Sequence, residues 1–130
     1  MPQATDLVIK NGAAVDKTFT LISPAAGDGG VAQWALKEDT ISSVFPVITA
    51  SANRTGNNSR NLKIKFKQPS SFTDAVTGLT NVNSAAEMNV TFSIPASYPE
   101  ALKSDFVAFA VNSLNTTLFK SMIKDAYSAT

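Results

Sequence analysis

Two stretches of the chain alternate strictly between polar and apolar residues. Asn61-Leu62-Lys63-Ile64-Lys65-Phe66-Lys67 does so before Pro69, and Glu87-Met88-Asn89-Val90-Thr91-Phe92-Ser93-Ile94 does so before Pro95. A period of two sends apolar side chains to one face of a β-strand and polar ones to the other. Shorter runs of the same character precede them. Residues 7–10 and 17–22 flank Asn11-Gly12 as a hairpin would, with a linker longer than two residues. Residues 23–30 read as a loop, residues 31–36 as a third strand and residues 47–53 as a fourth. A polar turn at 54–59 leads into the fifth. Between the last two strands, residues 70–84 are rich in Ser, Thr, Asn and Gly. This segment reads as a long loop of the kind that is usually functional or mobile.

After Pro95 the period changes. Ser97-Tyr98-Pro99-Glu100 reads as a helix start, with a proline in the first turn and an acidic residue at the positive end of the dipole. That helix is predicted to reach residues 112–114. Leu118, Phe119, Met122, Ile123, Ala126 and Tyr127 form one stripe of a second, shorter helix, read as core packing. In the first helix, Leu102, Phe106, Val107, Phe109, Ala110, Val111 and Leu114 are spread around nearly the whole circumference, the pattern of a helix covered on all sides. One sheet face and a short neighbour cannot cover it, so the rest of its surface is expected to meet another chain, most economically in an intertwined homodimer. The fold class expected is α+β, an N-terminal β-hairpin and antiparallel sheet followed by two C-terminal helices. One domain is expected over 1–130, with hairpin and sheet in 1–94 and helices in 97–130.

Composition removes most chemistry. The 130 residues include no cysteine and no histidine, which excludes disulfides, thiolate nucleophiles, His-based general bases and most zinc sites. The aspartates at 6, 16, 28, 39 and 74 lie in or beside turns, where Asp is common for backbone reasons. No enzyme activity, cofactor, metal or small-molecule substrate is expected. Nor is a signal peptide or membrane span, because the longest apolar run is far short of ~20 residues.

Charge sharpens the picture. The net charge is +1, yet no acidic residue lies between Asp39 and Asp74, an interval that holds Arg54, Arg60, Lys63, Lys65 and Lys67. On a strand the three lysines share one face at a spacing of ~6.6 Å, close to the phosphate repeat of an extended nucleic-acid strand. A solvated sheet face would carry such lysines too. The companion polar positions Thr49, Ser51, Asn53, Glu87, Asn89 and Thr91 favour nucleic acid, because short hydrogen-bonding groups suit base edges and sugars. A non-assembling single-stranded nucleic-acid-binding domain is the competing reading. Such domains usually stack bases on exposed aromatics, whereas Phe66 and Phe92 alternate onto the apolar face.

The sequence resembles the coat proteins of single-stranded RNA bacteriophages, the leviviruses, over nearly its whole length. The features that carry the likeness are a starting hairpin, Gly30-Val31-Ala32-Gln33-Trp34, the strands around the polar turn and the Lys-x-Lys strand ending in Pro69. A long loop, the strand from Met88 to Pro95 and two terminal helices complete it. The interval from Thr49 to Pro69 matches the family without a gap. The resemblance implies a virion component assembled in the bacterial cytoplasm. Its coat dimer would form a continuous antiparallel sheet with interlocked helices outside, build a quasi-equivalent icosahedral shell and present the sheet's inner face to genomic RNA. It also implies binding of an RNA hairpin as translational repressor and packaging signal. The RNA-facing positions carried over are Val31, Thr49, Ser51, Asn53, Thr55, Ser59, Asn61, Lys63, Lys65, Glu87, Asn89 and Thr91. Thr49, Ser51 and Lys65 match the family's adenine pocket, in which Lys63 replaces a threonine. Glu87 replaces a base-stacking tyrosine, and Asn53 an arginine. Residues 70–84 resemble the family's symmetry-axis loop, which changes conformation between quasi-equivalent subunits.

Overall fold

The computed structural model describes residues 3–38, 41–54 and 58–129. Six strands occur in chain order, β1 (Leu7–Lys10), β2 (Asp16–Ser23), β3 (Val31–Ala35), β4 (Val47–Arg54), β5 (Ser59–Thr73) and β6 (Thr80–Pro95). Two helices follow, α1 (Glu100–Leu114) and α2 (Thr117–Asp125). Each strand pairs with the next, antiparallel throughout, so β1 and β6 are the edges. The α+β class, the hairpin, the antiparallel sheet and the two C-terminal helices agree with the sequence reading. The chain divides into two compact units, Met1–Pro95 and Ala96–Thr130.

The first hairpin turns on Asn11. Its side-chain oxygen accepts hydrogen bonds from the Ala13 and Val15 amides at 2.9 and 3.0 Å, and Ala14 adopts the left-handed conformation that closes the turn. Beyond it, β2 changes partners. Residues 16–19 pair with β1, then Thr20, Leu21 and Ser23 pair with β3 across an irregularity at Ile22. Phe19 sits at this handover and is buried with Ala32 and Trp34. Leu7, Leu21, Ile48, Ala50 and Phe66 pack around them. The Phe19 and Phe66 rings meet edge to face at 6.2 Å, and the Trp34 indole N–H donates to the Thr5 carbonyl at 2.7 Å. The core therefore lies on the even-numbered face of β3, β4 and β5. Toward β6 that face is thinly covered, with Leu62 and Met88 exposed. Gly30 is fixed by crowding, because a Cβ there would lie 2.6 Å from the Ala26 carbonyl oxygen.

The segment 70–84 is not the long loop its composition predicts. Strand β5 continues through Thr73 and β6 begins at Thr80, so only residues 74–79 turn. Asp74 organises the turn. Its carboxylate accepts from the Val76 amide, its carbonyl from the Gly78 amide, and its own amide donates to the Leu79 carbonyl, each at 2.8 Å. Gly78 supplies the positive φ of 70° that the turn requires. The Thr73 and Thr80 hydroxyls meet at 3.0 Å below it. Two long paired strands thus carry the ladder through a polar stretch that would not form a strand alone. Pairing steps from Ser70 with Ser84 to Ser71 with Val82, leaving Asn83 as an extra residue in β6.

In the second unit, Pro99 precedes α1. The Thr116 hydroxyl caps α2 by accepting from the Phe119 amide at 3.3 Å. Neither helix contains a buried residue. The apolar stripe of α2 is therefore not core within this chain, contrary to the sequence reading. Its last members, Ala126 and Tyr127, lie past the helix end. Phe109 of α1 is 75% exposed.

Replacing Phe19 with alanine should cost about 3–5 kcal/mol, the range for emptying a buried aromatic site. Urea unfolding at fixed protein concentration, compared with the parent chain, is the measurement.

Candidate nucleic-acid interface

Register determines which side chains share the polar face. Residues directly opposed in an antiparallel ladder project to the same side. One row runs Val31, Ser51, Lys63, Thr91, and the next Gln33, Thr49, Lys65, Asn89. Val47, Lys67 and Glu87 form a third row, and Asn53, Asn61 and Ser93 a fourth. Ser59 extends the same face of β5, opposite Pro95. The structure thus gathers eleven of the twelve candidate residues on one side of β3–β6. The remaining one, Thr55, lies outside the described residues.

Both faces follow from the two-residue period. The reverse side carries Ala32, Ala50, Ile64 and Val90 in one row and Trp34, Ile48, Phe66 and Met88 in the next. A sheet with one buried face cannot slip by one residue without exchanging these sets, so the hydrophobic pattern positions the lysines. Lys63, Lys65 and Lys67 are exposed, and the first two stand in rows of uncharged neighbours. The charge on this face is not uniform. Glu87 directly opposes Lys67 and approaches it to 4.0 Å. Asn61 contributes a side-chain oxygen that is buried with no hydrogen-bond partner among the described residues.

The five basic residues of the acid-free interval do not form one patch. Arg54 opposes Arg60 and then Ile94, which places both arginines on the even-numbered side, opposite the lysines. Composition could not separate them, because strand parity is visible only once the turn length is fixed. Gln33, Lys67 and Ser93 share the polar face and were absent from the candidate set. The alternation that placed Lys63 and Lys65 already implies Lys67 and Ser93, and Gln33 is found by the same rule one strand further on.

The arrangement offers cations at strand spacing beside neutral donors and acceptors, which suits an extended polyanion with readable edges. Among the described residues it offers no paired nucleophile and base.

A sequence model of the family described as levivirus coat protein matches residues 2–129. Among solved structures, the chain resembles the virus-like particle of bacteriophage NT-214 at TM-score 0.86 and 22% identity, covering 99% of this chain and 100% of that one. It resembles the virus-like particle of Beihai levi-like virus 21 at TM-score 0.86 and 14% identity, covering 99% of both chains. The bacteriophage GA protein capsid matches at TM-score 0.69 and 22% identity, over 95% of each chain. No curated protein is similar to the chain by sequence at a significant level.

Alanine at Lys63 or Lys65 should shift unfolding free energy by no more than ~0.5 kcal/mol, since both side chains are exposed and leave the even-numbered face intact. Thermal or urea unfolding of each variant checks this.

Proposed function

The chain belongs to the levivirus coat protein family, a family of structural proteins and not of enzymes, and from this we propose that it is a capsid subunit. It dimerises through β6, assembles into an icosahedral shell and holds single-stranded RNA against the odd-numbered sheet face. The observation that carries the reading is the edge at β6. This strand has 16 residues and pairs with β5 on one side only among the described residues. Long edges left open promote association, and a second copy in antiparallel register satisfies them. The same pairing brings cover to the thinly covered even-numbered face and to α1, whose apolar residues surround its axis. We read the two units as one coat domain whose helices interlock with those of the partner.

Pairing two β6 strands also doubles the polar face. Glu87, Asn89 and Thr91 then lie at the centre of a continuous sheet, flanked on both sides by Lys63 and Lys65. This supports binding of an RNA hairpin as well as bulk genomic RNA, and with it the repressor and packaging roles implied by the resemblance. The remaining RNA-facing residues, Val31, Thr49, Ser51, Asn53, Thr55, Ser59 and Asn61, are proposed on the same basis. The virion is the proposed location, with assembly in the bacterial cytoplasm. A non-assembling nucleic-acid-binding domain would leave β6 and α1 uncovered.

Two measurements test the proposal. Phe109→Asp changes an exposed side chain of the isolated chain, yet should abolish the dimer by placing an unpaired charge in the interface. Size-exclusion chromatography with light scattering reads this directly, and a variant that remains dimeric refutes interlocked helices. For RNA, the Lys63→Ala, Lys65→Ala double variant should reduce the slope of log K against log salt by ~0.7 per lysine removed. An unchanged slope with an intact dimer moves the RNA surface off this face.

A further inference from the structure

We infer that Lys67 and Glu87 together form a guanine-reading site at one end of the polar face, an inference that rests on RNA binding to that face. The two residues are direct partners across β5 and β6, and their charged atoms stand 4.0 Å apart. That distance is too long for a hydrogen bond, and each side chain is 59% exposed. The pair is thus held in register by the ladder without being closed. A pair this open contributes little to stability, so a ligand can enter between its members without breaking a strong contact.

The chemistry of the pair is directional. Lys67 offers only donors and Glu87 only acceptors, with two carboxylate oxygens side by side. The edge it complements has an acceptor followed by two adjacent donors. Guanine has that edge, with O6 for the lysine and N1–H and N2–H for the carboxylate. Uracil sets a second carbonyl against the second carboxylate oxygen. Cytosine and adenine place a ring-nitrogen acceptor where a donor is needed. A carboxylate can read such an edge only on an unpaired base, whose pairing groups are free.

The neighbouring rows direct a nucleotide to this orientation. Lys63 and Lys65 stand among neutral Ser51, Thr91, Thr49 and Asn89, whereas Glu87 cancels the charge of Lys67. Phosphates are drawn to the first two lysines and turned away from the third row. The backbone therefore tracks along residues 63–65, and a base projects toward 67 and 87.

The test uses the full chain and an A-rich single-stranded RNA oligonucleotide carrying one central guanosine, followed by fluorescence anisotropy across a salt series. Replacing the guanosine with adenosine should weaken binding about tenfold. Inosine, which lacks the N2 amino group, should fall between them. Glu87→Gln should abolish the preference while tightening binding to the oligonucleotide that carries adenosine in place of guanosine, because an anion has left the face. Lys67→Ala should reduce the preference but leave the salt slope unchanged. A parent chain without guanosine preference, or a Glu87→Gln variant that keeps it, overturns the inference. In either case a salt slope that still shrinks in the Lys63→Ala, Lys65→Ala variant leaves RNA binding on this face standing. Failure to bind any oligonucleotide overturns both.

Discussion

Everything about this sheet depends on the register of β5 between its two neighbours. Lys63 opposes Ser51 on one side and Thr91 on the other, and from that single alignment every other residue of the face follows. The register is held by hydrophobic burial on the reverse side. Phe66 packs edge to face on Phe19 within a core that includes Trp34, so moving β5 by one residue would bury lysines and expose Ile64 and Phe66 together. The apolar face fixes the alignment, and the polar face inherits its geometry without contributing to it. A surface built this way can change its chemistry freely, since substitutions at 63, 65, 87 or 89 leave the alignment intact.

The same asymmetry explains why the single chain looks incomplete. The buried members of its core, Phe19, Ala32 and Trp34, lie on β2 and β3, nearer the β1 edge of the sheet than the β6 edge, with the Trp34 indole anchored on the Thr5 carbonyl. Burial weakens toward the other edge, and the helices bury no residue of their own. Apolar surface left in this distribution is directional. This is the distribution that the proposed pairing at β6 draws on, whereas the hairpin's Asn11 turn satisfies its own amides.

Sequence patterning made much of this legible. Strict alternation at 61–67 and 87–94 located two strands and the polar face, and the shift in period after Pro95 located both helices near their observed bounds. Residues 70–84 escaped it because Ser, Thr and Asn favour turns in isolation, while long-range pairing with a partner strand decided the outcome. Arg54 and Arg60 were grouped with the lysines because charge counting ignores parity. The apposition of Lys67 and Glu87, 20 positions apart, needed the register itself. The spread of apolar residues around α1 was visible in the sequence, but their exposure in the single chain was not.

The extra residue at Asn83 divides the long β5–β6 hairpin into two regimes of tolerance. On the near side, up to Ser70, deleting one codon would exchange the two faces of everything beyond it. On the far side, the hairpin has already reset its own parity, and its six-residue turn closes on Asp74 and Gly78 without help from the sheet. Insertions and deletions in a diverging lineage should therefore accumulate past the bulge and be purged before it. The bulge acts as a firebreak, letting the tip drift in length while the sheet below keeps its reading frame.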